Sequence, residues 1–247
     1  MYRSGNPALS DATFEKSSYT GGDWWTDDVE LMSMRGTSEK TAFLMLITAV
    51  TGIMTALGMP DTSALMYIGL VGGLIIALIV IFSGSMNPTL ISLYAAFEGL
   101  FLGGITWQFE VIYPGIGLQA LLLTLLILGS MIAIYRANLI SWDRNLAIAV
   151  YSSMSAIFLI YLITIIGSFV GFHVPYLHGN SPIGIAFSVF VIGIASLCLV
   201  ADFDFIERGV ERGAPKQLEW RAAFGLMVTL IWLYIEILRL LAKASSR

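Results

Sequence analysis

The chain has 247 residues, of which 57% are hydrophobic and 12% charged, with a formal net charge of −4. This is the composition of a membrane bundle and not of a soluble domain, and the acidic balance, set mostly by residues 1–40, excludes the basic patch that nucleic-acid binding needs. The one cysteine, Cys198, excludes an intramolecular disulfide and a multi-cysteine metal site and reads as a small apolar packing residue.

Residues 1–40 are polar and acidic and include Gly21-Gly22. They lack the basic region and short apolar core of a cleavable signal peptide. They read as a mostly disordered cytoplasmic tail, with Trp24 and Trp25 placed to rest on the membrane surface, where aromatic side chains concentrate.

Seven nearly uncharged apolar stretches follow, at 41–59, 64–82, 88–107, 116–135, 146–170, 183–201 and 222–241. About 20 helical residues cross roughly 30 Å of hydrocarbon, and backbone groups in lipid satisfy one another only within helices or closed barrels. The predicted fold is all-α: a polytopic bundle of seven transmembrane helices over 41–241, with a short C-terminal tail at 242–247 and no room for a second domain.

Lys and Arg alternate between the connections. Arg35 and Lys40 precede the first span, Arg136 and Arg144 follow the fourth, and Arg208, Arg212, Lys216 and Arg221 lie between the sixth and seventh. The connections after spans one, three and five have none, whereas Lys243 and Arg247 follow the seventh. The positive-inside rule then places the N-terminus in the cytoplasm and the C-terminus outside, in a plasma or inner membrane. Trp107, Tyr113 and Tyr176 fall at the outer side of this topology, and Trp142 and Trp220 at the inner side. Small-residue pairs four apart, Gly52 and Ala56, Gly69 and Gly73, Gly99 and Gly103, mark close helix contacts.

Ionisable residues inside the spans cost about 2.5–3.5 kcal/mol each on insertion scales, so each needs a partner or a use. Glu98, in the middle of the third span, is either a proton or cation site or a neutral acid hydrogen-bonded to a neighbouring helix. Asp202 and Asp204 close the sixth span. Two residues apart on a helix is about 200° of rotation, so one faces the bundle and the other the headgroups. Asp204 is spaced to pair with Arg208, which leaves Asp202 as the inward, functional candidate. Glu236 and Arg239, at i and i+3 in the outer half of the seventh span, read as a structural ion pair, and Thr229 shares the Glu236 stripe, which is placed to line a path. His173 and His178, in the outer connection, suggest an exposed, pH-responsive loop rather than a metal site.

No zinc-protease HExxH motif occurs, no histidine lies in a span to serve a serine nucleophile, and no lysine lies inside the seventh span. The expectation is therefore a protein that is not an enzyme and carries no cofactor or bound metal. The expected partners are the lipid bilayer, calcium or protons, and other membrane proteins.

Three stretches carry a resemblance: AAFEGLFLGGIT in the third span, ADFDFIERGVERG at the end of the sixth, and AAFGLMVTLIWLYIEILRLL in the seventh. In this order they resemble the Bax-inhibitor-1 family, also called the transmembrane Bax-inhibitor-motif family. The polar start with SGNPAL resembles its prokaryotic branch. The resemblance covers about 40–241. It implies a bundle with the seventh span at its centre, surrounded by the other six. It also implies a pH-sensitive calcium leak, protection from cell death in eukaryotic members, and interaction with a membrane protease in some bacterial ones. The family hallmark is an aspartate at the end of the sixth span facing another in the seventh, a pair that shares a proton and acts as a pH latch. The first carries over onto Asp202, with Asp204 as the alternative register. The second falls at Thr229, which exchanges hydrogen bonds but cannot share a proton as a carboxylate does; Glu98, Asp204 and Glu219 are the acids left to substitute. The resemblance thus implies a cation leak gated near Asp202; the alternative is a non-transporting regulator that binds other membrane proteins.

Overall fold

A computed structural model describes residues 30–58, 62–170 and 181–246. Trp24, Trp25, His173, Tyr176 and His178 lie outside the described residues. Among the described residues seven helices run in order: α1 (Met34–Gly58), α2 (Thr62–Ser83), α3 (Pro88–Ile112), α4 (Ile116–Arg136), α5 (Arg144–Val170), α6 (Pro182–Glu211) and α7 (Leu218–Ser245). All seven are long and apolar enough to cross a membrane. The outer surface is apolar as well, with Leu57 82% and Phe82 81% exposed. Side chains so placed face lipid, and the chain is a multi-pass membrane protein.

Local chemistry sets the helix starts. Asn87 caps α3 by accepting from the amide of Thr89 at 2.9 Å, with Pro88 behind it. Ser181 caps α6 through the amide of Gly184 at 3.1 Å, with Pro182 behind it. The α4 start has no side-chain cap of its own, because its N-cap residue is Gly115, at φ +87°; the Glu110 carboxylate, reaching from α3, accepts from the amides of Gly115 and Gly117 instead.

α7 is the axis of the bundle. Every residue from Arg221 to Met227 is buried, and at about 3.6 residues per turn that closes more than one full circuit of the helix. It packs most extensively against α6 and also against α1, α3 and α4. The ring is less even than a core surrounded by six equal neighbours. α2 packs chiefly on α3, and α5 chiefly on α6, reaching α7 through the Tyr161 side chain.

Between helices in lipid, close packing takes the role that the hydrophobic effect has in water. The glycine pairs make that packing possible. A Cβ at Gly69 would strike the backbone of Phe97 and Phe101 on α3, and one at Gly103 would strike the backbone of Gly52 on α1. Thr48 adds a polar contact between the same helices, donating to the carbonyl of Ala95 at 3.0 Å.

Several boundaries differ from the sequence reading; α3, for one, runs to Ile112, past the expected end at 107. Residues 30–40, expected in a disordered tail, hold an antiparallel bridge between Leu31 and Pro215 and the first turns of α1. α6 continues ten residues past the expected end at 201, to Glu211, with Phe203, Phe205, Ile206 and Gly209 of this extension buried. α7 runs to Ser245, so most of the expected C-terminal tail is helical.

Candidate functional site

α6 is buried at every position from Cys198 to Phe203, where it lies along α7. Asp202 sits in this seam with 1% of its surface exposed, and Thr229, on α7, with 5%. The threonine hydroxyl donates to Asp202 Oδ2 at 2.6 Å and lies 3.4 Å from the carbonyl of Gly225, one turn back on its own helix. A carboxyl group away from water needs such a donor. A hydrogen bond to a charged group contributes about 1.5–3 kcal/mol, roughly twice a neutral one. One turn before Asp202, the Cys198 thiol lies 3.4 Å from Met154 Sδ, which ties the seam to α5.

The other acids singled out from sequence stand elsewhere. Asp204 is half-buried and pairs with Arg208 on its own helix. Glu207 beside it accepts from the Tyr135 hydroxyl of α4, whose ring packs against Phe203 at 5.8 Å. Glu98 lies at the α2–α3 contact, against Gly73, one turn after Tyr94. Tyr94 in turn packs edge-on against Phe224 of α7 at 4.8 Å. Asp202 and Thr229 are thus brought together, and Asp204 and Glu98 are held apart from them.

Glu219, which sequence reasoning named only as a substitute acid, is 0% exposed at the first turn of α7. Its carboxylate accepts from the Ser33 amide at 2.8 Å and hydroxyl at 3.0 Å, and from the Lys40 ammonium. Lys40 also stands 5.5 Å from the centre of the Trp220 ring. None of the three possible substitutes, Glu98, Asp204 or Glu219, therefore supplies a second carboxylate at Asp202.

The Glu219 cluster holds the segment before α1 onto the α6–α7 connection. Met32 donates to the Ala214 carbonyl at 2.7 Å, and Lys216 to the Glu30 carbonyl at 2.8 Å. The Glu30 carboxylate also bonds the exposed Lys216 ammonium at 2.7 Å and holds it above the ordinary lysine value. An acid in the first turn of a helix was the available signal for Glu219, since that end of the dipole favours negative charge. Its partners lie 179 and 186 residues away and carry no local signature.

At the opposite end, Glu236 is 2% exposed. Its Oε1 accepts from the Tyr161 hydroxyl at 2.8 Å and from Arg239 at 3.2 Å. Leu233, 0% exposed, lies between Thr229 and Glu236 on the same stripe. Each of the two polar positions on α7 has partners of its own, Asp202 for Thr229 and Tyr161 with Arg239 for Glu236.

A family model described as Bax inhibitor 1 like matches residues 6–246. The chain belongs to that family. No curated protein matches it. In this Bax inhibitor 1 like protein, the α6 acid that the resemblance implies faces a hydroxyl on α7. One carboxyl and one hydroxyl hold the seam where two carboxyls were implied.

Proposed function

We propose that this protein is a slow, pH-sensitive cation leak, for calcium or protons, gated at the Asp202–Thr229 seam. The observation that carries the reading is the burial of one carboxyl group in the contact between α6 and the central helix, where it accepts from the Thr229 hydroxyl. Protonation or hydration of Asp202 changes the charge at that contact, and with it the free energy of keeping α6 against α7. Among the described residues no three His, Cys, Asp or Glu side chains come together to hold a metal ion. Calcium, which takes six to eight oxygen ligands, would on this reading pass a hydrated seam and not rest in a fixed cage.

The same reading places the basic end of the bundle in the cytoplasm of a plasma or inner membrane. Arg136, Arg144, Arg208, Arg212 and Lys216 gather at the end where α1 begins, which supports a cytoplasmic N-terminus and an external C-terminus. It is also a reading of a protein without catalytic chemistry.

The alternative is a non-transporting regulator that binds other membrane proteins, such as a membrane protease. The docking of residues 30–33 on the α6–α7 connection favours it, because that contact couples the acidic N-terminal segment to the central helix. Calcium and proton flux into proteoliposomes across pH 5–8, for wild type and Asp202→Asn, separates the two. A leak whose pH dependence disappears in Asp202→Asn supports the gate. Folded protein that passes neither ion above empty liposomes at any pH eliminates the leak and leaves the regulator.

A further inference from the structure

The end of the bundle away from Asp202 holds a cavity of about 420 Å3. It lies between the last turn of α3, the middle of α5, the start of α6 and the last turns of α7. Its volume is within the range of about 300–1,000 Å3 typical of small-molecule sites. One wall is apolar, with Phe109 and Ile112 from α3 and Phe187 from α6; the other carries Arg239, Lys243 and Glu236 from α7.

We propose that this cavity binds the phosphate head of an anionic phospholipid, with Arg239 and Lys243 as the charged ligands. Among the described residues that line it, two cations face one acid, and Glu236 already accepts from both Tyr161 and Arg239. The cavity is therefore left with an excess of positive charge. That contact with Glu236 uses one of the five N–H donors of the guanidinium, whose side chain is 42% exposed. Arg239 also lies over the Tyr161 ring, 5.6 Å from its centre.

Lys243 is one turn further along α7 and is held as firmly. Its ammonium donates to the Gly184 carbonyl at 3.1 Å and the Ser188 hydroxyl at 2.9 Å. That anchors it beside the start of α6, where the helix dipole adds partial positive charge. An anion entering the cavity meets two cations already in place, which keeps the ordering cost low. The apolar wall decides between a lipid and a free anion. α3 ends at Ile112, 65% exposed, so the cavity opens at the level where a helix leaves the hydrocarbon. Phosphate at the cations then leaves the glycerol and the upper acyl chain against Phe109, Ile112 and Phe187.

The test uses the full chain in neutral detergent, titrated with phosphatidylglycerol, diacylglycerol and inorganic phosphate, with bound lipid read by native mass spectrometry. The expected result is saturable binding of one phosphatidylglycerol. Arg239→Gln with Lys243→Gln is expected to weaken it by about tenfold or more. Diacylglycerol and inorganic phosphate are each expected to bind far more weakly. Ala242→Phe, which narrows the cavity and keeps both charges, weakens the same binding and serves where the charge variant does not fold. The proposal is overturned if both variants bind phosphatidylglycerol as wild type does, if diacylglycerol binds equally well, or if inorganic phosphate competes at the same concentration as the lipid.

Discussion

Thr229 and Asp202 are 27 residues apart and meet across the α6–α7 contact, the hydroxyl 2.6 Å from the carboxylate, with both side chains buried. Removing the hydroxyl at constant shape, in Thr229→Val, takes one donor from a carboxylate that has little access to water. The expected loss of stability is about 1–3 kcal/mol. Thr229→Ser keeps the donor and loses only a methyl group, so it should melt closer to wild type. Thermal unfolding in detergent compares the three; equal melting of the valine variant and wild type would show that the bond contributes nothing net.

Thr229→Asp restores the carboxyl pair that the resemblance implies. Two carboxylates at this distance cannot both stay ionised without strong repulsion, so the folded state holds a proton that the unfolded chain releases. The stability of this variant is then greatest at low pH and is lost as pH rises. Melting temperature measured from about pH 5 to pH 8 should fall more steeply for Thr229→Asp than for wild type, and parallel curves would show that the two side chains do not meet. If the leak exists, its pH dependence should steepen in the same variant.

Much of this arrangement is legible in the sequence, and the remainder has a common physical reason. The seven spans follow from apolar length alone. That Asp202 and Asp204 face different ways follows from about 200° of helix rotation, and the pairing of Asp204 with Arg208 from their spacing. What local spacing does not contain is the register of one helix against another. The meeting of Asp202 with Thr229, the position of Glu98 at Gly73 and the extension of α6 to Glu211 are all set by packing between helices. The Glu219 cluster is the extreme case: the burial of this acid depends on a lysine and a serine close to the other end of the chain.

That cluster gives a sharp test of the contact between the N-terminal segment and α7. Lys40 is 17% exposed and the Glu219 side chain 1%, so removing one partner leaves a poorly hydrated charge. Lys40→Met and Glu219→Gln should each cost up to about 3–5 kcal/mol, and the double variant less than their sum. Gly36→Ala should loosen the same contact at a smaller cost without removing either charge, because its Cβ would displace the Glu219 carboxylate, the end of a side chain that can shift. The amides of Met32 and Lys216, which bond across the bridge, report on the same contact. Their hydrogen-exchange protection should fall in Gly36→Ala; if protection and melting both stay at wild-type values, Glu219 does not hold this segment.

The glycines separate close packing from helix propensity. At Gly99 a Cβ would run into the Thr51 hydroxyl and the Thr48 carbonyl of α1, and at Gly103 into the Gly52 carbonyl. Backbone atoms cannot move aside as a flexible side chain does, so α1 and α3 must separate. Gly99→Ala and Gly103→Ala are expected to cost about 1–3 kcal/mol each, the usual range for overpacking. At Gly129 and Gly193 a Cβ would meet nothing within 4 Å. There the same substitution only replaces a poor helix former by a good one, worth up to about 1 kcal/mol in favour of the variant. The four alanine variants, melted side by side in one detergent, should therefore split into a destabilised pair and a neutral or stabilised pair. If all four shift alike, α1 does not lie against α3 through this glycine face.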